Sequence, residues 1–420
     1  MTLFKTSALS LIATLFKISY GLVLSKLLAI YVGPSGLVLV GQFQSVQSGL
    51  AGLATAGFGQ GLTKYLSEYR GDVEKSSAIF ATAIKLVCVI LIPLSLTLFF
   101  LSESISQWVF GSASSHLWMK VLAVSLIPSS LGAIFVSSLN GLGEIRSLTM
   151  VGVMSSVLGI ILSFILVPVW GVSGVIGAIV TTPFLVLLMS IRYLKKSSDF
   201  SWHWLKEKST QSDGKKLGAF TLMALTSAVT IPLSHILIRN ILTDTVSIEA
   251  AGLWTGMWRI SEAYLMVVTM TLSVYYLPKL SGLKNQCSIK NEIKYGQRII
   301  IPFVLASSLL VFFMRDLIIL VLFNDDFSEM RELFAFQLLG DVLKISSWLY
   351  SYILIAKSKV KAFVIFEIMF NFVFVFLVLM LVKKFGVIGA TYAFFISYIL
   401  YLFSVYFWFQ KSCNNGIFDE

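Results

Sequence analysis

Apolar stretches of about 20 residues or more follow one another along nearly the whole chain, separated by short polar breaks. Such a stretch spans roughly 30 Å of hydrocarbon as a helix, and backbone without water must bond to itself in a helix or a closed barrel. The lengths here fit helices. Twelve spans are predicted, at residues 6–32, 36–65, 78–101, 117–139, 147–168, 172–194, 217–241, 250–277, 297–314, 330–356, 359–382 and 386–410. The longest polar break, KKSSDFSWHWLKEKSTQSDGKK at 195–216, divides them six and six. The predicted organisation is an N-terminal six-helix bundle (1–194), a basic cytoplasmic linker (195–216), a C-terminal six-helix bundle (217–410) and a cytoplasmic tail (411–420). Trp202 and Trp204 in the linker are expected at headgroup level.

The halves read as repeats. Gly174-Val-Ile-Gly-Ala178 recurs as Gly386-Val-Ile-Gly-Ala390, an offset of 212 (386 minus 174). FFLSESISQWVF, ending at Phe110, aligns with FFMRDLIILVLF, ending at Phe323, at an offset of 213 (323 minus 110). That second offset places Lys26 opposite Arg239. Six-helix repeats share one orientation, and folds of this kind hold substrate at the repeat interface. Arg315 and Asp316, inside the matched stretch, are expected to form an ion pair that anchors the outer boundary.

Composition agrees with an all-α polytopic membrane protein. The 420 residues are 57% hydrophobic and 13% charged, against about 25% charged in soluble domains. Lys17 interrupts the first apolar stretch and no cleavage site follows, so that stretch reads as a helix and not as a cleaved leader. Roughly 21 of the 32 basic residues fall on one side of the predicted topology, which places both termini in the cytoplasm. The net charge of +11 is thereby a topology signal, and nucleic acid is not an expected partner. Three scattered cysteines and three scattered histidines offer no metal-ligand spacing, so neither a metal nor another cofactor is expected.

Charge at membrane depth carries the functional reading. Lys17 lies near the centre of the first span and Lys26 toward its far end, about 180° apart on a straight helix unless Gly21 lets it bend. An ammonium at the bilayer centre costs about 2.5–3.5 kcal/mol on insertion scales, so Lys17 is expected to face protein or water, and a cationic cavity suits an anionic substrate. Lys64 ends the second span, where snorkelling to lipid phosphates is the competing explanation. Gln47 and its neighbouring glutamines fit sugar hydroxyls or adjacent helices equally well. Gly57 and Gly61 form a GxxxG, which suits close packing or a gate. Arg259 and Glu262 are i,i+3 neighbours able to neutralise each other, as a packing pair or as cavity lining. Gln337, Asp341, Lys344 and Trp348 form one polar stripe, in which Asp341 and Lys344 are either a register-fixing pair or part of a coupling site. Asp341 and Glu262 are the candidates for proton coupling. The chain contains no Walker A motif, no large outer loop with paired carboxylates and no filter-like stretch, which counts against an ATPase, a membrane glycosyltransferase and a channel.

Several segments bear a resemblance: TLFKISYGLVLSKLLAIYVGPSGLVLVGQF, FTLMALTSAVTIPLSHILIRNIL, RISEAYL, SVYYLPKLS and RDLIILVLFNDDFSEMRELFAFQLLGDVLKISSW. With them the chain resembles, from first helix to last, the Wzx flippases of the multidrug/oligosaccharidyl-lipid/polysaccharide exporter superfamily. The resemblance implies two six-helix bundles in a V around a cavity that opens alternately to each side. It implies an undecaprenyl-pyrophosphate oligosaccharide as substrate, from enterobacterial common antigen or an O-antigen, moved across a Gram-negative inner membrane. Membrane lipids, a glycan polymerase and a chain-length regulator are implied partners. In related flippases basic residues of helices 1, 2 and 8 bind pyrophosphate, and Lys17, Lys26, Lys64 and Arg259 occupy those helices here, with Arg239 as the repeat partner of Lys26. The alternative is a cation-coupled exporter of small molecules. Its drug-exporting relatives rely on an acidic residue early in the first bundle, whereas here the first two spans contain none.

Overall fold

The computed structural model describes residues 3–207, 211–218, 221–283 and 285–415. Residues 208–210 of the expected linker and 416–420 of the expected tail lie outside them. Among the described residues every regular element is helical: α1 (Leu3–Tyr31), α2 (Gly33–Thr55), α3 (Phe58–Glu68), α4 (Val73–Phe100), α5 (Ser102–Phe110), α6 (His116–Gly141), α7 (Ile145–Lys196), α8 (Gln211–Gly218), α9 (Thr221–Thr245), α10 (Ile248–Thr271), α11 (Leu277–Gly282), α12 (Gln286–Phe313), α13 (Arg315–Leu322), α14 (Phe334–Ala356), α15 (Val360–Phe385) and α16 (Ile388–Asn414).

The protein is a multi-span membrane protein. Nine helices among the described residues are long and apolar enough to cross a bilayer. The expected twelve spans differ from these nine in three places. α7 is one 52-residue run with a non-helical residue, Gly171 (φ 53°, ψ −127°), where two spans were expected to meet. α2 and α10 are helical but fall outside the nine, because glutamines in α2 and Arg259 and Glu262 in α10 dilute their apolar character. The expected 36–65 helix is also broken. Ala56 (φ 46°) and Gly57 (φ 74°) are left-handed and end the hydrogen-bond ladder between α2 and α3. Gly57 is thus a break, while Gly61, the other half of the GxxxG, packs closely on Leu217.

The chain forms two compact units, one of Met1–Tyr31 with Leu39–Leu233 and one of Val32–Val38 with Ser234–Glu420. In the first, small residues let helices approach closely. A Cβ on Gly159 would stand 3.0 Å from the Tyr20 ring, and one on Gly141 would stand 2.8 Å from the Cβ of Leu66. Thr63 Oγ1 of α3 donates to the Ser137 carbonyl of α6 (3.0 Å). The linker folds onto this unit. Trp204, expected at headgroup level, is buried against Phe80 and Phe200, with ring centres 6.0 and 5.1 Å away. Lys216 of α8 donates to Tyr69 (3.0 Å) and pairs with Asp213 (2.9 Å), and the Tyr69 and Asp213 contacts push its ammonium above the usual lysine range.

In the second unit one apolar cluster gathers Trp254, Trp258, Phe374, Val378 and Phe394, and a second gathers Leu265, Leu272, Tyr276, Ile293, Leu349 and Val405. Between α10 and α11 the helix widens to a π turn, Leu272–Tyr276, whose Tyr276 hydroxyl donates to the Leu349 carbonyl (3.0 Å). Asp316 pairs with Arg331 (3.2 Å) and not with Arg315, whose guanidinium donates to the Phe312 carbonyl and lies over the Phe312 ring. Neighbours in sequence at a helix start point apart, which prevents the expected pairing.

The two units repeat local geometry. Leu101 (φ −91°, ψ 14°) separates α4 from α5, and Met314 (φ −90°, ψ 6°) separates α12 from α13, an offset of 213 (314 minus 101). Gly171 and Gly386 (φ 61°, ψ −148°) turn alike, and three residues later Gly174 and Gly389 press on the carbonyls of Leu166 and Leu381. These matches give 215 (386 minus 171), so the identical GVIGA strings are three residues out of structural register. Glycine at every third position from Gly171 to Gly177 lets the string match one step late.

Candidate functional site

The second unit gathers five of the nine predicted site residues on three helices. His235 and Arg239 are one turn apart on α9. Trp254, Thr255, Trp258, Arg259 and Glu262 follow along α10. Gln337, Asp341, Lys344 and Trp348 form the expected stripe on α14. Arg239 is buried at 4% exposure, donates through Nε to Thr255 Oγ1 (3.1 Å) and lies over the Trp254 ring (5.6 Å). His235 packs edge-on against Trp258, with ring centres 4.5 Å apart. Arg259 and Glu262 both act electrostatically on Arg239. Cation–π contacts of this kind are worth about 0.5–2 kcal/mol, enough to offset part of the cost of a cation at depth.

The two carboxylates have hydrogen-bond donors of their own. Glu262 accepts from the Trp258 indole N–H (2.8 Å). Lys344 forms no salt bridge with Asp341; its ammonium stands 5.3 Å from the Trp258 ring centre and 5.1 Å from that of Trp348. Asp341, fully buried, accepts from the Tyr264 hydroxyl (2.9 Å), which also contacts Ser308 (3.2 Å). Ser261 and Gln337 face the same carboxyl. Indole rings took the cation and a phenol took the carboxylate, an exchange that charge spacing alone could not reveal.

The other four predicted residues belong to the first unit. Lys17 is exposed and Lys26 half-buried on α1, which runs unbroken through Gly21. Lys64 is exposed beside the Tyr65 ring (5.0 Å), and Gln47 is half-buried on α2. Sequence reasoning missed His235 and Trp254. Their signal was the i,i+4 spacing of His235 with Arg239 and of Trp254 with Trp258. Among the described residues no group of three or more His, Cys, Asp or Glu is placed to hold a metal.

These helices have the fold of MATE-type transporters of the MOP superfamily. An inward-facing multidrug resistance MATE transporter superposes with a TM-score of 0.82 at 16% identity, covering 96% of this chain and 95% of the other. The outward-facing counterpart gives 0.76 at 17% identity, covering 98% and 95%. The chain belongs to the polysaccharide biosynthesis protein family, whose model matches residues 3–283. It is 31% identical over 402 residues to the Lipid III flippase of Escherichia coli (strain K12), covering 96% of each chain, and equally to that of Shigella flexneri.

Proposed function

We propose that this chain is a lipid-linked oligosaccharide flippase. It moves an undecaprenyl-pyrophosphate oligosaccharide, lipid III or an O-antigen repeat unit, from the cytoplasmic to the periplasmic leaflet of a Gram-negative inner membrane. Identity to lipid III flippases along nearly the whole chain supports this reading. The observation that carries it is the cationic group of Arg239 and Arg259 on α9 and α10, with Arg239 buried over the Trp254 ring. A pyrophosphate-linked headgroup cannot cross hydrocarbon unaided, and cations held within the helices lower its desolvation cost. The protein needs differential binding to two states and no nucleophile, so it acts as a transporter and not as an enzyme.

In this reading the chain has twelve spans with cytoplasmic termini and works by alternating access. Lys17, Lys26, Lys64, Arg239 and Arg259 contact pyrophosphate, Gln47 contacts sugar, and Glu262, Asp341 and Lys344 serve coupling or line the cavity as charged groups. Membrane lipids, a glycan polymerase and a chain-length regulator are its partners. A cation-coupled exporter of small molecules would need an acidic cavity, and neither α1 nor α2 carries a carboxylate. The test is complementation of cells lacking the lipid III flippase. The intact chain should restore the surface glycan, and normally expressed Lys17→Ala and Arg259→Ala variants should not. Full restoration by both variants would sink the assignment of these contacts, and no restoration by the well-inserted parent would sink the flippase reading.

A further inference from the structure

On one face of the second unit, an acceptor, an indole, a donor and a second indole follow in contact. Glu262 is exposed, and its Oε1 accepts from the Trp258 indole N–H. Lys344 is half-buried between Trp258 and Trp348, and its ammonium, which forms no salt bridge among the described residues, keeps N–H donors available. Trp348 is itself half-buried and continues to Tyr352, with ring centres 6.4 Å apart. Both charged groups lie well inside long helices, and a face carrying both cannot look onto hydrocarbon. It faces water or a polar guest.

The chemistry of the face selects the guest. A phosphate would use the ammonium, but the Glu262 carboxylate would repel it and the Trp348 ring would gain nothing. A purely apolar group would leave both charges unsolvated. A pyranose ring matches every group, because its C–H face packs on an indole while its hydroxyl rim both donates and accepts hydrogen bonds. We propose that Trp348, Lys344 and Glu262 form a saccharide subsite that takes one pyranose ring of the substrate, separate from the contacts to pyrophosphate. This rests on the flippase reading and deepens it, since it adds a sugar contact in the second unit to that of Gln47 in the first.

The experiment measures binding of two probes to the purified full-length protein in nanodiscs: lipid III, and undecaprenyl pyrophosphate without sugar. Trp348→Ala should weaken lipid III binding about tenfold and leave the sugar-free lipid unchanged, while Trp348→Phe should keep most of the affinity. Glu262→Gln, at an exposed position, should weaken lipid III binding without weakening the sugar-free lipid. If Trp348→Ala does not fold, the Glu262→Gln comparison decides alone. Equal loss of both probes, or no loss of either, in well-folded variants would overturn the subsite. If the parent protein binds neither probe, the flippase reading itself falls and the subsite with it.

Discussion

The Lys344 ammonium stands 5.3 Å from the ring centre of Trp258, while Asp341, one turn earlier on the same helix, is bonded to Tyr264. An indole face attracts a cation without neutralising its charge. Two such faces, Trp258 and Trp348, together offer about 1–4 kcal/mol against the roughly 2.5–3.5 kcal/mol cost of placing the cation at membrane depth, so the two nearly cancel. Lys344 therefore adds little to stability and is kept for what it binds. Lys344→Met should leave the thermal midpoint unchanged or raise it, and should cut flipping about tenfold or more. Thermal unfolding and a reconstituted flipping assay check the two halves, and a clear drop in the midpoint would show that Lys344 is a packing residue.

The carboxyl of Asp341 is fully buried, with the Tyr264 hydroxyl donating to Oδ2 and with Gln337 and Ser261 facing it. Taking an ionised carboxylate out of water costs several kcal/mol, so a purely structural role would be an expensive one. Asp341→Asn should fold as the parent does and flip substrate at a rate that no longer responds to a transmembrane pH gradient. Tyr264→Phe, which removes the donor to Asp341, should shift the same response without abolishing it. If Asp341→Asn responds to the gradient as the parent does, the carboxyl has no part in coupling.

Trp204 is buried at 4% exposure between Phe80 of α4 and Phe200 of the linker. Removing a buried indole costs about 3–5 kcal/mol through lost contacts and the cavity left behind. Trp204→Ala should loosen the linker from the first unit and speed trypsin cleavage at its Lys-rich ends, Lys195, Lys196, Lys215 and Lys216. Limited proteolysis of the two proteins side by side is the check. Equal cleavage rates would mean that the linker is held by its polar contacts alone.

Most of the helices were legible because spans of about 20 apolar residues have few competing explanations. The break at Ala56 was hidden, since a left-handed alanine leaves no compositional mark in a run that is glycine-rich throughout. α2 and α10 read as spans from their length, yet their polar residues keep them below the nine most apolar helices. In the site, Arg239, Asp341 and Lys344 could be named because charge in an apolar helix is conspicuous. Their partners could not. Helical periodicity tells which residues share a face, but not that Trp258 would take Lys344 and that Tyr264, from another helix, would take Asp341.

Gly174 and Gly389 occupy the same place in the two repeats, each where the chain returns against the preceding helix. A Cβ on Gly174 would fall 2.1 Å from the Leu166 carbonyl oxygen, and one on Gly389 would fall 2.5 Å from that of Leu381. Both obstacles are backbone, so no side-chain rotation relieves the clash. Gly174→Ala and Gly389→Ala should each destabilise by about 1–3 kcal/mol, as overpacking does elsewhere. Gly21 supplies the control, because its Cβ position has nothing within 4 Å, and alanine in the middle of α1 should stabilise by about 0.5–1 kcal/mol. Thermal unfolding of the three variants in one detergent tests the pairing of the repeats. Similar losses at 174 and 389 with a gain at 21 would support structural equivalence at an offset of 215, and a neutral Gly389→Ala would remove it.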